Sequence, residues 1–293
     1  MLRVGFIGAG TVGTAMAISL SRRGYGVVAV SSRSRSSAER LAARLEGCEA
    51  YADGQCVVEA AELVFVTTPD SAIGPVVSQC AWRAGKSVVH CSGADSLDVL
   101  EAARKSGASV GALHPLQTFA SVEEAIENLP GSTFALEAEG LLLGTLEAMA
   151  KDLGGTCVRL GPGDKVLYHA AAVLTSNYMV ALVSMATDLW KQFGVSTSEA
   201  TDALLPLIRG TVNNITKVGL PNCLTGPIAR GDLGTIEKHI KALAERAPGL
   251  LDAYRLLGLQ TVPIALAKGR IDDQRAGEMR IMLQPNYCRR NEE

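Results

Sequence analysis

The chain has 293 residues, with 28 Lys and Arg against 30 Asp and Glu, a formal net charge of −2 and 47% hydrophobic residues. Length and composition fit a soluble protein of one large or two ordinary domains with a sizeable core. The near-neutral balance excludes bulk electrostatic attraction to nucleic acid or to an anionic membrane surface.

Met1 leads at once into the apolar run at 4–7, which reads as a buried strand and leaves no room for a signal peptide. Next comes Gly8-Ala9-Gly10-Thr11-Val12-Gly13, opening an apolar helix at 14–20. A G-x-G-x-x-G motif between strand and helix is a dinucleotide fingerprint. Gly8 makes the tight turn, Gly10 lets a pyrophosphate approach the backbone, and Gly13 lets helix pack on strand. The helix N-terminus adds free N–H groups for the phosphates. The second strand, at 27–30, runs into Ser31-Ser32-Arg33-Ser34-Arg35 and carries no acid. An acid at that place would hold the ribose hydroxyls of NAD. Arg33 and Arg35, with the hydroxyls of Ser31 and Ser32, suit a 2′-phosphate instead, so the expected cofactor is NADP(H).

Further strands are predicted at 63–68, 87–91, 109–113, 133–136 and 156–160, with helices at 36–45, 73–80 and 141–153 between them. This alternation predicts a parallel, doubly wound sheet. Gly161-Pro162-Gly163 marks a boundary. Beyond it only helical patterns remain, at 165–193, 198–217, 235–247, 250–267 and 272–282. The expected division is therefore 1–161 for a dinucleotide-binding domain and 162–293 for a helical substrate and dimerisation domain. The apolar stretch at 170–190 contains Ser176, Asn177, Ser184 and Asp188, and reads as a core helix rather than a membrane span. Its apolar surface exceeds what a small domain covers alone, which predicts a homodimer. The seven cysteines (48, 56, 80, 91, 157, 223 and 288) are widely spaced and form no C-x-x-C. That predicts reduced thiols in the cytoplasm, with no disulfide frame and no metal site.

Ligands of an open α/β sheet sit at the carboxyl ends of its strands. Thr67, Thr68 and Pro69 fall there and are expected beside the cofactor. Ser92 and Gly93 follow the next strand and can donate hydrogen bonds to a substrate. His114 precedes Pro115, which holds it extended at a strand end. Lys165 and His169 are four apart at the start of a helix, so they share a face, with Asn177 further along. A lysine there can protonate an alkoxide as hydride reaches a carbonyl carbon, and partial burial would lower its pKa. Thr225 and Arg230 lie in a later polar loop that can meet a substrate carboxylate, with Asn213, Asn214 and Glu237 as weaker candidates. A helix-connecting turn is an equal reading of that loop.

These signatures, together with His90-Cys91-Ser92-Gly93-Ala94, His114-Pro115-Leu116-Gln117-Thr118-Phe119, Lys165-Val166-Leu167-Tyr168-His169 and the segment 224–232, span nearly the whole chain. They resemble a family of Rossmann-like proteins with a C-terminal helical domain of formerly unassigned function, within the 6-phosphogluconate dehydrogenase-like superfamily. The resemblance implies an N-terminal Rossmann domain, an all-helical C-terminal domain and oxidoreductase activity. Lys165 and His169 look like the catalytic lysine and its partner in β-hydroxyacid dehydrogenases. Ketopantoate reductases share that lysine, and ketopantoate is the first substrate expected. Ser92 and His114-Pro115 instead resemble prephenate dehydrogenases, although Phe119 and Ala120 stand where those carry glycine. A prephenate-like or imine substrate, as in pyrroline-carboxylate reductases, is the alternative. A non-catalytic NADP-binding sensor is the alternative from another class.

Overall fold

The computed structural model describes residues 1–285; Cys288 and the rest of 286–293 lie outside the described residues. The chain forms two compact units, Met1–Asn177 and Tyr178–Glu293.

The first unit begins β1 (Arg3–Ile7), α1 (Thr11–Arg22), β2 (Gly26–Ser31), α2 (Arg35–Ala42), β3 (Glu49–Tyr51), α3 (Gly54–Ala60), β4 (Leu63–Val66), α4 (Asp70–Ser78) and β5 (Ser87–His90). It continues α5 (Glu101–Lys105), β6 (Ser109–Leu116), α6 (Val122–Asn128), β7 (Thr133–Ala138), α7 (Gly140–Asp152), β8 (Thr156–Arg159) and α8 (Asp164–Thr175). The eight strands make one sheet in the order β3-β2-β1-β4-β5-β6-β7-β8. The order fans outward in both directions from β1 and β4, so the carboxyl ends of β1 and β4 flank the crevice where such sheets bind ligands. Central strands are apolar on both faces, as β4 shows with Leu63, Val64, Phe65 and Val66 all buried. That is the pattern of a sheet covered by helices on both sides. One core lies on each face, one around Phe6, Phe65 and Met16 and the other around Val64, Val88 and Leu100.

The structure corrects three expectations. The sheet is not wholly parallel, because β7 runs antiparallel to β6, with Leu113 opposite Leu136 and Pro115 opposite Phe134. β6 therefore continues through His114 and Pro115 to Leu116 rather than stopping at 113. β3 was absent from the predicted strands because three residues, Glu-Ala-Tyr, carry no alternation to read. One register row crosses six strands: Ser31 pairs Ile7, Ile7 pairs Val66, Val66 pairs His90, His90 pairs Ala112 and Ala112 pairs Glu137.

The second unit is helical, with α9 (Asn177–Lys191, its first residue at the junction), α10 (Thr197–Val218), α11 (Pro227–Arg230), α12 (Leu233–Arg246), α13 (Pro248–Ala267) and α14 (Asp273–Leu283). Ser196 starts α10 with a full capping box to Glu199. The core gathers Ile236 and Ile240 of α12, Val262 of α13 and Met279 and Leu283 of α14. The division falls at 177/178, one helix beyond the expected 161/162, because α8 places side chains against β6. The stretch at 170–190, expected as a buried core helix, is largely exposed: Leu174 is 62%, Val180 70% and Leu182 42% accessible. By length and composition, 164–191 is also apolar enough to cross a membrane.

Candidate functional site

The glycine loop folds as its sequence dictates. Gly8 has φ +116°, a conformation side chains rarely adopt, and a Cβ there would stand 2.7 Å from the Thr67 carbonyl. Its N–H donates to the Ser31 carbonyl at 2.8 Å, and its own carbonyl accepts from Thr67 Oγ1 at 2.8 Å. A Cβ on Gly13 would strike Thr67 Oγ1 and the Gly8 carbonyl, while Gly10 has open space beside it. The loop thus pins β1, β2 and β4 together and leaves Gly10 bare toward the crevice.

That crevice is a cavity of about 930 Å³ lined by Gly8, Ala9, Gly10, Ser31, Ser32, Arg33, Thr67, Thr68 and Pro69. Thr11, Val12 and Gly13 form the first turn of α1 beside it. Thr68 Oγ1 is buried without a protein partner, as a hydroxyl awaiting a polar ligand would be. Arg35 starts α2, and its Nε donates to Glu39 at 2.8 Å rather than lining the cavity. Ser34, within the segment quoted from the sequence, and Ser37, which had not been singled out, also line it. Asp53 is also in the lining, but its carboxylate accepts from the Cys56 N–H at 2.9 Å as the cap of α3. Arg33 with four serine hydroxyls fits a phosphate better than two ribose hydroxyls.

A second polar cluster lies where β5 and β6 end and α8 begins. Gly163, at φ +87°, turns the chain into α8, and Asp164 accepts from the Gly161 N–H at 2.8 Å. Lys165 is only 4% exposed, and its Nζ has no partner. Burial pulls its pKa down from 10.5 to about 8, against the opposing pull of Glu137 and then Cys91, Asp95 and Asp70. The amine is therefore poised to give up a proton near neutrality. Ser92, 5% exposed, donates its N–H to His90 Nδ1 at 3.2 Å and accepts at Oγ from the Ala94 and Asp95 N–H groups. His90 is fully buried and pushed down to about 3, chiefly by burial and then by Lys165.

Gly93 forms the floor of this cluster. A Cβ there would lie 2.5 Å from His169 Nδ1 and 2.8 Å from His114 Nε2, so both rings converge on it. His169 Nδ1 is buried without a partner, and no hydrogen bond joins it to Lys165. His114 Nδ1 meets Tyr168 Oη at 2.9 Å, and burial followed by the charges of His169 and Lys165 pushes His114 down to about 4. Lys165, His169, His114, Ser92 and Gly93 are thus brought together. Tyr168 and Glu137 join them without having been singled out; the i, i+3 spacing of Lys165 and Tyr168 was the one signal available. Asn177 is exposed at the start of α9. Thr225 and Arg230 are exposed in the second unit, before and at the end of α11, with Arg230 close in charge to Asp232. Asn213, Asn214 and Glu237 are exposed on α10 and α12. Among the described residues no group of three His, Cys, Asp or Glu is placed to hold a metal.

Two family models match the chain: a Rossmann-like domain over residues 1–115, and a domain of unknown function, DUF2520, over residues 132–261. No curated protein matches in sequence. Among solved structures, a Bacteroides fragilis protein provisionally described as an NADP oxidoreductase is 28% identical, with TM-score 0.71 over 89% of this chain and 98% of its own. A Thermotoga maritima protein is 26% identical, with TM-score 0.72 over 91% of this chain and 100% of its own. A reductive aminase from Aspergillus terreus, solved with NADPH and ethyl levulinate, shares the fold at 20% identity and TM-score 0.63, over 94% and 98% of the two chains.

Proposed function

We propose that this chain, which matches a Rossmann-like domain and a DUF2520 domain in turn, is an NADPH-dependent reductase of small oxo acids. NADPH, bound along the glycine loop with its 2′-phosphate at Arg33 and the neighbouring serines, supplies the hydride. The observation that carries the reading is the buried, unpartnered Lys165 Nζ beside the Gly93 floor. An ammonium there stabilises negative charge growing on a carbonyl oxygen and then transfers its proton to that oxygen. Ser92 keeps its hydroxyl proton available for the same substrate, and neutral His114 adds no competing charge. The same cation repels an iminium carbon, which sets this site against the imine reading that the shared fold of reductive aminases would suggest. A non-catalytic sensor would have no use for an amine tuned toward proton transfer. Ketopantoate is the first substrate to try, on the resemblance of Lys165 to the lysine of ketopantoate reductases.

We read the second unit as half of a homodimer interface. In α9 and α10 only Thr187 and Ala200 are buried, and Val180, Leu207 and Val218 stand 70%, 66% and 55% exposed. The free cysteines Cys48, Cys56, Cys80, Cys91, Cys157 and Cys223 suit a reducing cytoplasm.

The test is NADPH consumption with a panel of oxo acids and of cyclic imines. Oxo acids should be reduced and imines should not. Lys165→Ala should lower turnover by about 100-fold or more, the contribution of a positioned acid, while NADPH binding is retained. Full turnover in that variant, or reduction of imines alone, sinks the reading.

A further inference from the structure

Tyr168 is absorbed by neither the cofactor groove nor the proton donor, yet it hydrogen-bonds the substrate-facing histidine, whose ring also meets His169 edge to face. His114 Nε2 points into the space above Gly93, 2.8 Å from where a Cβ would stand. The ring is neutral at working pH, since burial and its neighbours push it down to about 4. A neutral imidazole carries a single N–H, so the tautomer decides whether Nε2 donates to an occupant of that space or accepts from it.

The partner on the far nitrogen sets that choice. Tyr168 Oη lies 2.9 Å from Nδ1, with the two rings edge to face at 90° and centroids 5.5 Å apart. The phenol keeps its proton, because burial raises it to about 12. Phenolic O–H is a stronger donor than imidazole N–H, and an imidazole nitrogen is a stronger acceptor than a phenolic oxygen. The favoured bond is therefore O–H···Nδ1, which leaves the proton of His114 on Nε2. The same arrangement, an outer partner fixing the tautomer of a working histidine, orients metal-bound and catalytic imidazoles elsewhere. The first turns of α8 supply the groups around His114: Lys165, Tyr168 three residues on, and His169 four residues on, whose Nδ1 also stands over Gly93.

We propose that Tyr168 is a positioning residue that fixes His114 as a neutral Nε2–H donor, so that the substrate oxygen meets a hydrogen bond from His114 as well as the Lys165 ammonium. This rests on the reading of the Gly93 space as the substrate site, and it narrows the substrate there to one presenting an acceptor oxygen to both groups.

The experiment pairs a spectrum with kinetics. Two-bond proton–nitrogen correlations of the histidine rings, recorded on the NADPH complex and assigned by the signal lost in His114→Gln, report the tautomer without any substrate. The expected wild-type signal is Nε2-protonated, and Tyr168→Phe should convert it to a mixture of tautomers. That variant should lose about tenfold in kcat/KM, the scale of one hydrogen bond, with the loss mostly in kcat. In His114→Gln the carboxamide offers a donor near the Nε2 position and has no tautomer to lose. Adding Tyr168→Phe to that background should cost nothing more. A wild-type ring protonated on Nδ1, an unchanged ring in Tyr168→Phe, or equal losses in both backgrounds overturns the proposal. Failure of every oxo acid to turn over counts against the substrate reading, and the spectrum still decides the role of Tyr168.

Discussion

The two units differ in how completely a single chain satisfies them. In the sheet unit the central strands are covered on both faces, and, apart from Ser19 on α1, the buried polar side-chain atoms without partners lie in the groove, at Thr68, or around Lys165, at His90, Lys165 and His169. In the helical unit the core is confined largely to α12, α13 and α14, while α9 and α10 bury one residue each. The first unit leaves buried polar groups, which suit a cofactor with its substrate, and the second leaves exposed apolar faces, which suit another protein surface.

That contrast breaks first at Gly13. Valine there would collide with Thr67 and the Gly8 carbonyl, and overpacking of that order costs about 1–3 kcal/mol, so NADPH affinity should fall by about 10–100-fold. Calorimetric titration checks it, and unchanged affinity would show that the groove is not where NADPH binds. Next is Arg33→Ala, which removes a charge-assisted contact and should weaken NADPH by about tenfold or more while sparing NADH. Equal losses for both cofactors would remove the 2′-phosphate from the argument.

A smaller effect should appear with acid. His90 and His114 are pushed from 6.5 to about 3 and about 4, so the folded chain binds fewer protons than the unfolded chain between those values. Their neutral forms favour folding fully above about pH 6.5, and that advantage is lost as pH falls toward 4 and then 3. Thermal melts from pH 7 to 4 should show the decline, and His114→Gln should flatten part of it; a melt temperature indifferent to pH would contradict the burial of both rings. Smallest for the fold itself is Val180→Glu on α9. It should leave NADPH binding intact and shift monomer stability by no more than about 0.5 kcal/mol, yet light scattering, expected to report a dimer for the parent, should report a monomer for the variant. A monomeric parent would instead leave the exposed helices unexplained by self-association.

What could be read in advance followed the range of each interaction. The glycine loop, the missing acid after β2 and the Lys165–His169 pair are local patterns, each visible within a few residues. The reversal at β7 was hidden because it depends on pairing Leu113 with Leu136, and no local signal separates a parallel from an antiparallel edge. The spacing of Lys165 and Tyr168 hinted at a shared face, but the contact of Tyr168 with His114, 54 residues away, had no local signal. Arg35 shows the converse: local charge suggested a phosphate ligand, and the side chain instead pairs with a glutamate one helical turn on. The exposed 170–190 stretch was misread as core because apolar content reports the wish for burial and not the surface that grants it.

The register row from Ser31 to Glu137 has a mechanical meaning. Five interstrand steps of about 4.8 Å put its ends roughly 24 Å apart, held by ladders of backbone hydrogen bonds. The row works as a ruler whose graduations are strands. Its Ser31 mark lines the groove with Arg33, and its His90 and Glu137 marks sit beside Lys165. Side chains along it can be exchanged, but the reach between the two ends is quantised, and lengthening or shortening it means adding or deleting a strand.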